Sequence, residues 1–211
     1  MQAEPATSTP VIYVVDDDTD VRAGLSALFQ SVGLSATTFG STIDFLKYKR
    51  PETTSCLILD VRLPGLSGLD FQTELAKADV NIPIIFITGY GDIPMSVKAI
   101  KSGAVEFLTK PVREQDLLDA VRVALDRDRA RRELDVKVHD LRSRFESLSS
   151  REQQVMSLVC AGLMNKQAAA QIGVSEVTVK VHRHNVMKKL GAKSLAELVR
   201  MADSLGIPCR K

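Results

Sequence analysis

Five short runs rich in apolar and β-branched residues divide the first 110 residues: VIYVV (11–15), ATTF (36–39), LIL (57–59), IIFIT (84–88) and VEFL (105–108). Between them apolar residues recur at helical spacing, as Val21, Leu25, Leu28 and Phe29 do. A strand wetted on one face alternates apolar with polar residues, whereas an unbroken apolar strand is buried on both faces. This alternation of strand and helix therefore predicts a parallel sheet covered by helices on each side. Start signals agree: Asp18 can cap the first helix, and Ser41 with Asp44 can open the second.

The first run leads straight into DDDTD (16–20), and the third ends in Asp60. Two such charges about 4 Å apart repel by ~4 kcal/mol at an effective dielectric near 20, so the cluster needs a counter-charge. In a parallel sheet the strand ends converge at the carboxyl edge, where ligands bind. If strands one and three are neighbours, Asp16, Asp17 and Asp60 share a pocket. Thr88 closes the fourth strand, and Lys110-Pro111 follows the fifth. Carboxylates suit Mg2+, a hard cation that prefers oxygen. A carboxylate beside it can attack phosphorus, while an ammonium and a hydroxyl steady the phosphoryl oxygens. A lone aspartate at a strand end is usually a turn former or a cap, and that is the reading of Asp18 and Asp20.

VVDDD, LILDVRLPGLSG, ITGYGD and FLTKP, in that order, resemble the signature segments of response-regulator receiver domains over about residues 10–125. The resemblance implies a flavodoxin-like α/β fold: a doubly wound, five-stranded parallel sheet in the order 2-1-3-4-5. It implies Asp60 as phosphoacceptor and metal ligand, Asp17 as direct ligand of Mg2+ (or Mn2+), and Asp16 as ligand through water. The backbone carbonyl of Arg62 supplies another metal oxygen, Lys110 binds the phosphoryl group, and Thr88 and Phe107 act as switch residues. For Phe107 a plain core role is the alternative. The phosphoryl donor implied is a sensor histidine kinase, and the only chemistry catalysed is the domain's own phosphorylation and dephosphorylation, so no enzyme is expected. Asp18 stands where many receivers have glutamate, and Gly65 where an acidic residue is common. Arg62 and Tyr90 flank the site, and their bulk is expected to hinder the hydrolytic water. A phosphohydrolase with an aspartyl phosphate is disfavoured, because Asp20 stands where its pattern has Thr or Val.

The formal net charge of +2 hides a division. Residues 1–125 carry 11 basic and 16 acidic residues, residues 126–211 carry 17 and 10, and residues 149–211 alone carry 10 and 4. A basic half points to a polyanion as partner. From Arg113 to Ser147 there is neither Gly nor Pro, which permits one helix of roughly 50 Å. Leu117, Val121 and Ala124 face a sheet; DRDRARRE (126–133) has almost nothing to bury. Then Leu134, Val138, Leu141, Phe145 and Leu148 form a stripe that either pairs with another copy or packs on a neighbouring domain. Capping-box pairs follow at Ser149/Glu152 and Ser194/Glu197, with Gly162, Gly173 and Gly191 at expected helix ends.

NKQAAAQIGVSEVTVKVHRHNVMKKLGAKS (165–194) reads as helix, tight turn, helix, with Ser175 capping the second. Val179, Val186 and Leu190 line one stripe of that helix; Lys180, Val181, His184 and Lys188 lie on another face, suited to the major groove. Lys166, Arg183 and Lys189 are placed to meet phosphates, and His182 is either core or phosphate-facing. REQQV, GLMNK and SEVTVKVHRHNVMKKL resemble the LuxR/GerE four-helix DNA-binding domain over residues 145–208, with Ala168 where Ile is common. By that resemblance the recognition helix is 176–189 and the fourth helix, 195–205, supports dimerisation. The DNA-contacting set is Lys166, Thr178, Lys180, Val181, Arg183, His184 and Lys188.

Together the two halves resemble the NarL/FixJ family of two-component response regulators, closest to FixJ-type members. The expected organisation is a disordered tail (1–9), a receiver (10–125), a helical linker that is a candidate short coiled coil (126–147), and a small all-α helix-turn-helix domain (148–208). The expected function is phosphorylation-controlled binding to double-stranded promoter DNA, with homodimerisation through the fourth helix (about 93–102) and fifth strand and with RNA polymerase as a further partner. The alternative is a DNA-binding regulator with an idle receiver. Cys56, Cys160 and Cys209 lack metal spacing and read as reduced. With no secretory signal and no membrane-length apolar run, a cytoplasmic location and no membrane partner are expected.

Overall fold

The computed structural model of the chain describes residues 9–89 and 91–207. Tyr90, Cys209 and all of the expected tail except Thr9 lie outside the described residues. The chain divides into two compact units, residues 1–132 and 133–211.

In the first unit, β1 (Val11–Val15), β2 (Ser35–Phe39), β3 (Ser55–Asp60), β4 (Ile84–Thr88) and β5 (Glu106–Thr109) alternate with α1 (Thr19–Ser31), α2 (Thr42–Lys47), α3 (Gly68–Lys77), α4 (Ile93–Lys101) and the first part of α5 (Glu114–Glu146), whose residues from 133 onward belong to the second unit. The strands form one parallel sheet in the order β2-β1-β3-β4-β5. This is the parallel, doubly covered sheet that the apolar strands predict, in the strand order that the receiver resemblance implies. Because side chains alternate along a strand, β1 and β3 feed two cores at once. Tyr13, Val15, Leu57 and Leu59 pack with Phe45 of α2 and Phe71 and Leu75 of α3. Ile12, Val14, Cys56 and Ile58 pack with Phe29 of α1 and Leu117, Val121 and Ala124 of α5. Each such aliphatic or aromatic side chain, once buried, contributes ~1.5–3 kcal/mol.

DRDRARRE departs from expectation. Asp128 is 0% exposed, and its carboxylate accepts from the Ser55 N–H at 2.9 Å, from the Arg131 guanidinium at 2.6 Å and from Arg132 Nε at 2.7 Å. The charged run thus buries a carboxylate that ties α5 to the start of β3. Two cations and a backbone N–H satisfy its oxygens, as a buried charge requires.

In the second unit, α6 (Ser150–Cys160), α7 (Asn165–Ile172), α8 (Glu176–Leu190) and α9 (Leu195–Ser204) follow one another closely. Ser149 and Glu152 form the full capping box; Ser194 accepts from the Glu197 N–H, but the Glu197 carboxylate reaches the Lys193 N–H instead of its own cap. Gly173 and Gly191 end α7 and α8 in the left-handed conformation, at φ 68° and 74°. Leu141 and Phe145, from the last turns of α5, pack with Leu148, Met156, Val186, Leu190 and Leu198, while Leu134 is exposed. Ala168 is fully buried beside Val155, Val159 and Val179.

Two glycines test this packing in opposite directions. Gly68 donates its N–H to the Val61 carbonyl at 2.9 Å, and a Cβ there would overlap the backbone carbonyl of Asp60. Gly24, inside α1, has open space around it. Gly68→Ala is expected to cost ~2–4 kcal/mol by overpacking against backbone. Gly24→Ala should gain ~0.5–1 kcal/mol from helix propensity. Urea denaturation followed by far-UV circular dichroism checks both signs.

Candidate functional site

β1 and β3 are neighbours, so their carboxyl ends bring the aspartates together. Asp16, Asp17 and Asp60 each offer a carboxylate oxygen, and these oxygens lie within 4.8 Å of one another. Asp16 is 0% and Asp60 7% exposed; Asp17 is open to solvent. Three hard oxygen donors so close together form a set that could hold a metal ion.

Lys110, one residue beyond β5, reaches across the sheet edge. Its Nζ lies 2.7 Å from Asp16 Oδ2 and 3.0 Å from Asp60 Oδ2. Burial pushes the Lys110 ammonium down, but the bonds to both carboxylates outweigh it and hold it above the ordinary lysine value. Burial raises Asp16 above the usual carboxylate range, against the pull of Lys110 and the Asp18 N–H. Arg62 donates its backbone N–H to Asp60 Oδ1 at 3.1 Å. Asp18 caps α1, as expected.

Thr88 is fully buried at the end of β4. Phe107 is half-buried, its ring 6.2 Å from that of Phe86 across the β4–β5 pair. A Cβ on Gly91 would stand 2.8 Å from Phe107 Cε1 and 3.2 Å from Thr88 Cγ2, so the glycine leaves the ring its room. Sequence reasoning missed Gly91, and it missed Arg22, whose guanidinium donates to the Asp16 carbonyl at 2.6 Å and to Thr19 Oγ1 at 3.2 Å. Helical spacing alone puts Arg22 one turn after Asp18, a signal that was available.

In the second unit α8 presents Lys180, Val181, His184 and Lys188 to solvent, as expected, and Lys166 is exposed in the first turn of α7. Other members of the set are engaged within the fold. Thr178 Oγ1 lies 2.8 Å from Ser175 Oγ in the cap, and Arg183 donates to Asn165 Oδ1 of α7 at 3.3 Å. Lys180, though exposed, also pairs with Glu176 at 3.2 Å on the surface of α8. Lys189, expected at a phosphate, instead lies 2.7 Å from Glu152, whose side chain is 5% exposed, and donates to the Ser147 carbonyl. His182 is half-buried with its Nδ1 inside, on the core side of its two readings.

Residues 12–122 match the response regulator receiver domain, and residues 146–202 match the luxR family of bacterial regulatory proteins. The chain belongs to the response regulators with a LuxR-type DNA-binding domain. Nodulation protein W of Bradyrhizobium diazoefficiens is 58% identical over 202 residues, covering 96% of this chain and 89% of that protein. The transcriptional regulatory protein FixJ of Rhizobium meliloti is 41% identical over 192 residues, 90% of this chain and 94% of its own. Among solved structures, the response regulator StyR superposes with a TM-score of 0.78 at 49% identity, over 93% of this chain and 99% of that one. Full-length FixJ from B. japonicum gives 0.56 at 38%, over 94% and 98%. These families make the chain a transcriptional regulator of the two-component type with a helix-turn-helix domain, not a member of a classical enzyme family. Among the described residues no helix is long and apolar enough to cross a membrane.

The Glu152–Lys189 pair gives this response regulator a pH-dependent element. The Lys189 ammonium, then the Ser149 N–H, lower the Glu152 carboxyl from 4.5 to about 2. On acidification the unfolded chain takes up this proton first, so the pair's contribution is complete above pH ~4.5 and disappears as pH falls toward ~2. Lys189 is partly open to water, so the contribution is on the order of 1 kcal/mol. A ¹³C NMR titration should find the Glu152 carboxyl still ionised at about pH 3 in the wild type and its midpoint raised toward the ordinary glutamate value in Lys189→Met. An unchanged midpoint in that variant would assign the depression to the cap alone.

Proposed function

We propose that this response regulator takes a phosphoryl group on Asp60 from a sensor histidine kinase and, once phosphorylated, pairs and binds promoter DNA. The observation that carries this reading is the convergence of Asp16, Asp17 and Asp60 within 4.8 Å under the Lys110 ammonium. Three carboxylates against one ammonium leave two negative charges, the complement of one divalent cation. Asp17 and Asp60 would hold Mg2+ or Mn2+ directly with the backbone carbonyl of Arg62, and Asp16 would do so through water. When bound, the cation supplies positive charge against the phosphoryl oxygens.

The remaining work falls to the chain's own atoms. An Asp60 carboxylate oxygen attacks phosphorus; the bond to the donor histidine nitrogen breaks and an oxygen–phosphorus bond forms. Lys110, 3.0 Å from Asp60, moves onto a phosphoryl oxygen, and Thr88 donates its hydroxyl to another. Phe107 follows Thr88 inward. This alters the surface of α4 and β5, where Ile93, Val97 and Ile100 stand 80%, 45% and 44% exposed at spacings of four and three. That apolar stripe supports α4–β5 as the pairing face.

Lys180, Val181, His184 and Lys188 of α8 form the proposed base-facing set, with Lys166, Thr178 and Arg183 toward the backbone. RNA polymerase is the proposed downstream partner, the cytoplasm the proposed location, and 10–125, 126–147 and 148–208 the proposed boundaries of receiver, linker and DNA-binding domain.

Intact-mass measurement with acetyl phosphate and Mg2+ should show one phosphoryl group on the wild type and none on Asp60→Asn, with a monomer–dimer shift by light scattering in the wild type only. Lys110→Ala should slow labelling at least tenfold, since it removes ~1.4 kcal/mol or more of charge stabilisation. Wild-type protein that stays unmodified would leave the DNA-binding unit standing with an idle receiver.

A further inference from the structure

Two large apolar side chains stand in water on α8. Val177 is 69% and Val181 53% exposed, and neither belongs to the apolar clusters that form the core of the second unit. The inward stripe of the same helix, Val179, Val186 and Leu190, is buried. Helical geometry puts positions 177 and 181 one above the other, ~6 Å apart. Lys180, His184 and Lys188 share the exposed side with them. A solvated helix face has no use for two stacked valines flanked by cations. Single exposed apolar residues are ordinary, so the argument rests on the stacking and on the company they keep.

We propose that Val177 is a base-reading residue: with Val181 it forms an apolar track along α8 that contacts thymine 5-methyl groups in the major groove. The proposal rests on α8 being the recognition helix and deepens that reading. Thymine alone carries a methyl group on the major-groove edge, and apolar side chains are what recognise it. The ~6 Å between the two side chains matches about two base steps of a strand at 3.4 Å each. The neighbouring cations of the base-facing set suit the same groove, and residues 149–211 carry 10 basic against 4 acidic residues. Val177 lies two residues after its cap, Ser175, where a β-branched side chain gives the helix nothing that Ala would not. Val177→Ala therefore leaves the fold intact while shortening the track.

The test removes the methyl group from the DNA instead of only the side chain from the protein. Full-length protein treated with acetyl phosphate and Mg2+ selects binding sites from random duplexes. Each thymine of the selected site is then replaced by deoxyuridine, which lacks only the methyl. Wild type should lose about three- to fivefold in affinity at one or two positions per half-site, the size expected for one buried methyl. Val177→Ala should bind the unmodified site about three- to fivefold more weakly and be indifferent to deoxyuridine at one of those positions. Wild type insensitive to every replacement, or Val177→Ala still sensing every methyl, would overturn the proposal while leaving α8 as the recognition helix. No selected sequence, or unchanged binding by Lys180→Ala/Lys188→Ala, would overturn the recognition-helix reading itself and this proposal with it.

Discussion

The receiver is organised around an electrostatic debt at the carboxyl edge of its sheet. Asp16 and Asp60 are held out of water side by side, and in the protein alone Lys110 bridges them at 2.7 and 3.0 Å. Their carboxylates arrive on β1 and β3, adjacent strands, while the ammonium comes from the far edge beyond β5. Only a long, flexible cation can span that distance, which is why lysine suits the position where a shorter side chain would not reach. The bridge is incomplete by design, because one ammonium cannot balance three carboxylates. The residual negative charge makes the pocket receptive to a divalent cation, and the exposed Asp17 keeps one side of it open.

Much of this was legible in the chain itself. Apolar strands ending in Asp, Asp and Thr announce a parallel sheet with polar groups gathered at one edge, since strand period and burial leave few other arrangements. VIYVV and IIFIT were bounded to the residue because β-branched runs meet sharp polar stops there. Ser35, Ser55 and Cys56 lie outside the apolar runs, although the ladder with β1 extends to them through backbone hydrogen bonds that carry no side-chain signature. Asp128 is the sharper case. In sequence it is one acid among arginines in a run with nothing to bury; only the tertiary fold brings the Ser55 N–H against it. A buried charge paired over 73 residues of sequence separation has no local pattern to betray it.

The DNA-binding unit shows the opposite difficulty. Its basic residues are easy to find, and composition cannot say which are structural. Lys189 and Arg183 also hold the fold together, tying α8 to α6 and to α7. Lys180, His184 and Lys188 stay exposed on the outer face of the helix, Lys180 beside Glu176 at 3.2 Å. Val177 escaped the sequence reading because valines in a helix are presumed to face a core. The i, i+4 step back from Val181 would have placed it on the outer face.

The path from site to output is short in residues. Thr88 pairs in register with Thr109, and Phe107 stands opposite Phe86 on the same pair of strands, with Gly91 close to its ring edge at Cε1. On the proposed mechanism, a shift of Thr88 toward a phosphoryl oxygen would vacate space that one aromatic ring can fill, and packed interiors respond to such a change by switching arrangement instead of deforming smoothly. The energy needed is modest, since a few kcal/mol moves a two-state equilibrium from mostly off to mostly on. On that mechanism DNA binding would amplify the change. One recognition helix with four or so exposed groups offers few base contacts, each worth ~1–3 kcal/mol. Joining two copies turns the second contact into an intramolecular one, at effective concentrations near millimolar. On the proposed mechanism, pairing of receivers therefore raises affinity for a double half-site without any change in α8 itself, so the phosphoryl signal can control binding while the reading surface stays constant.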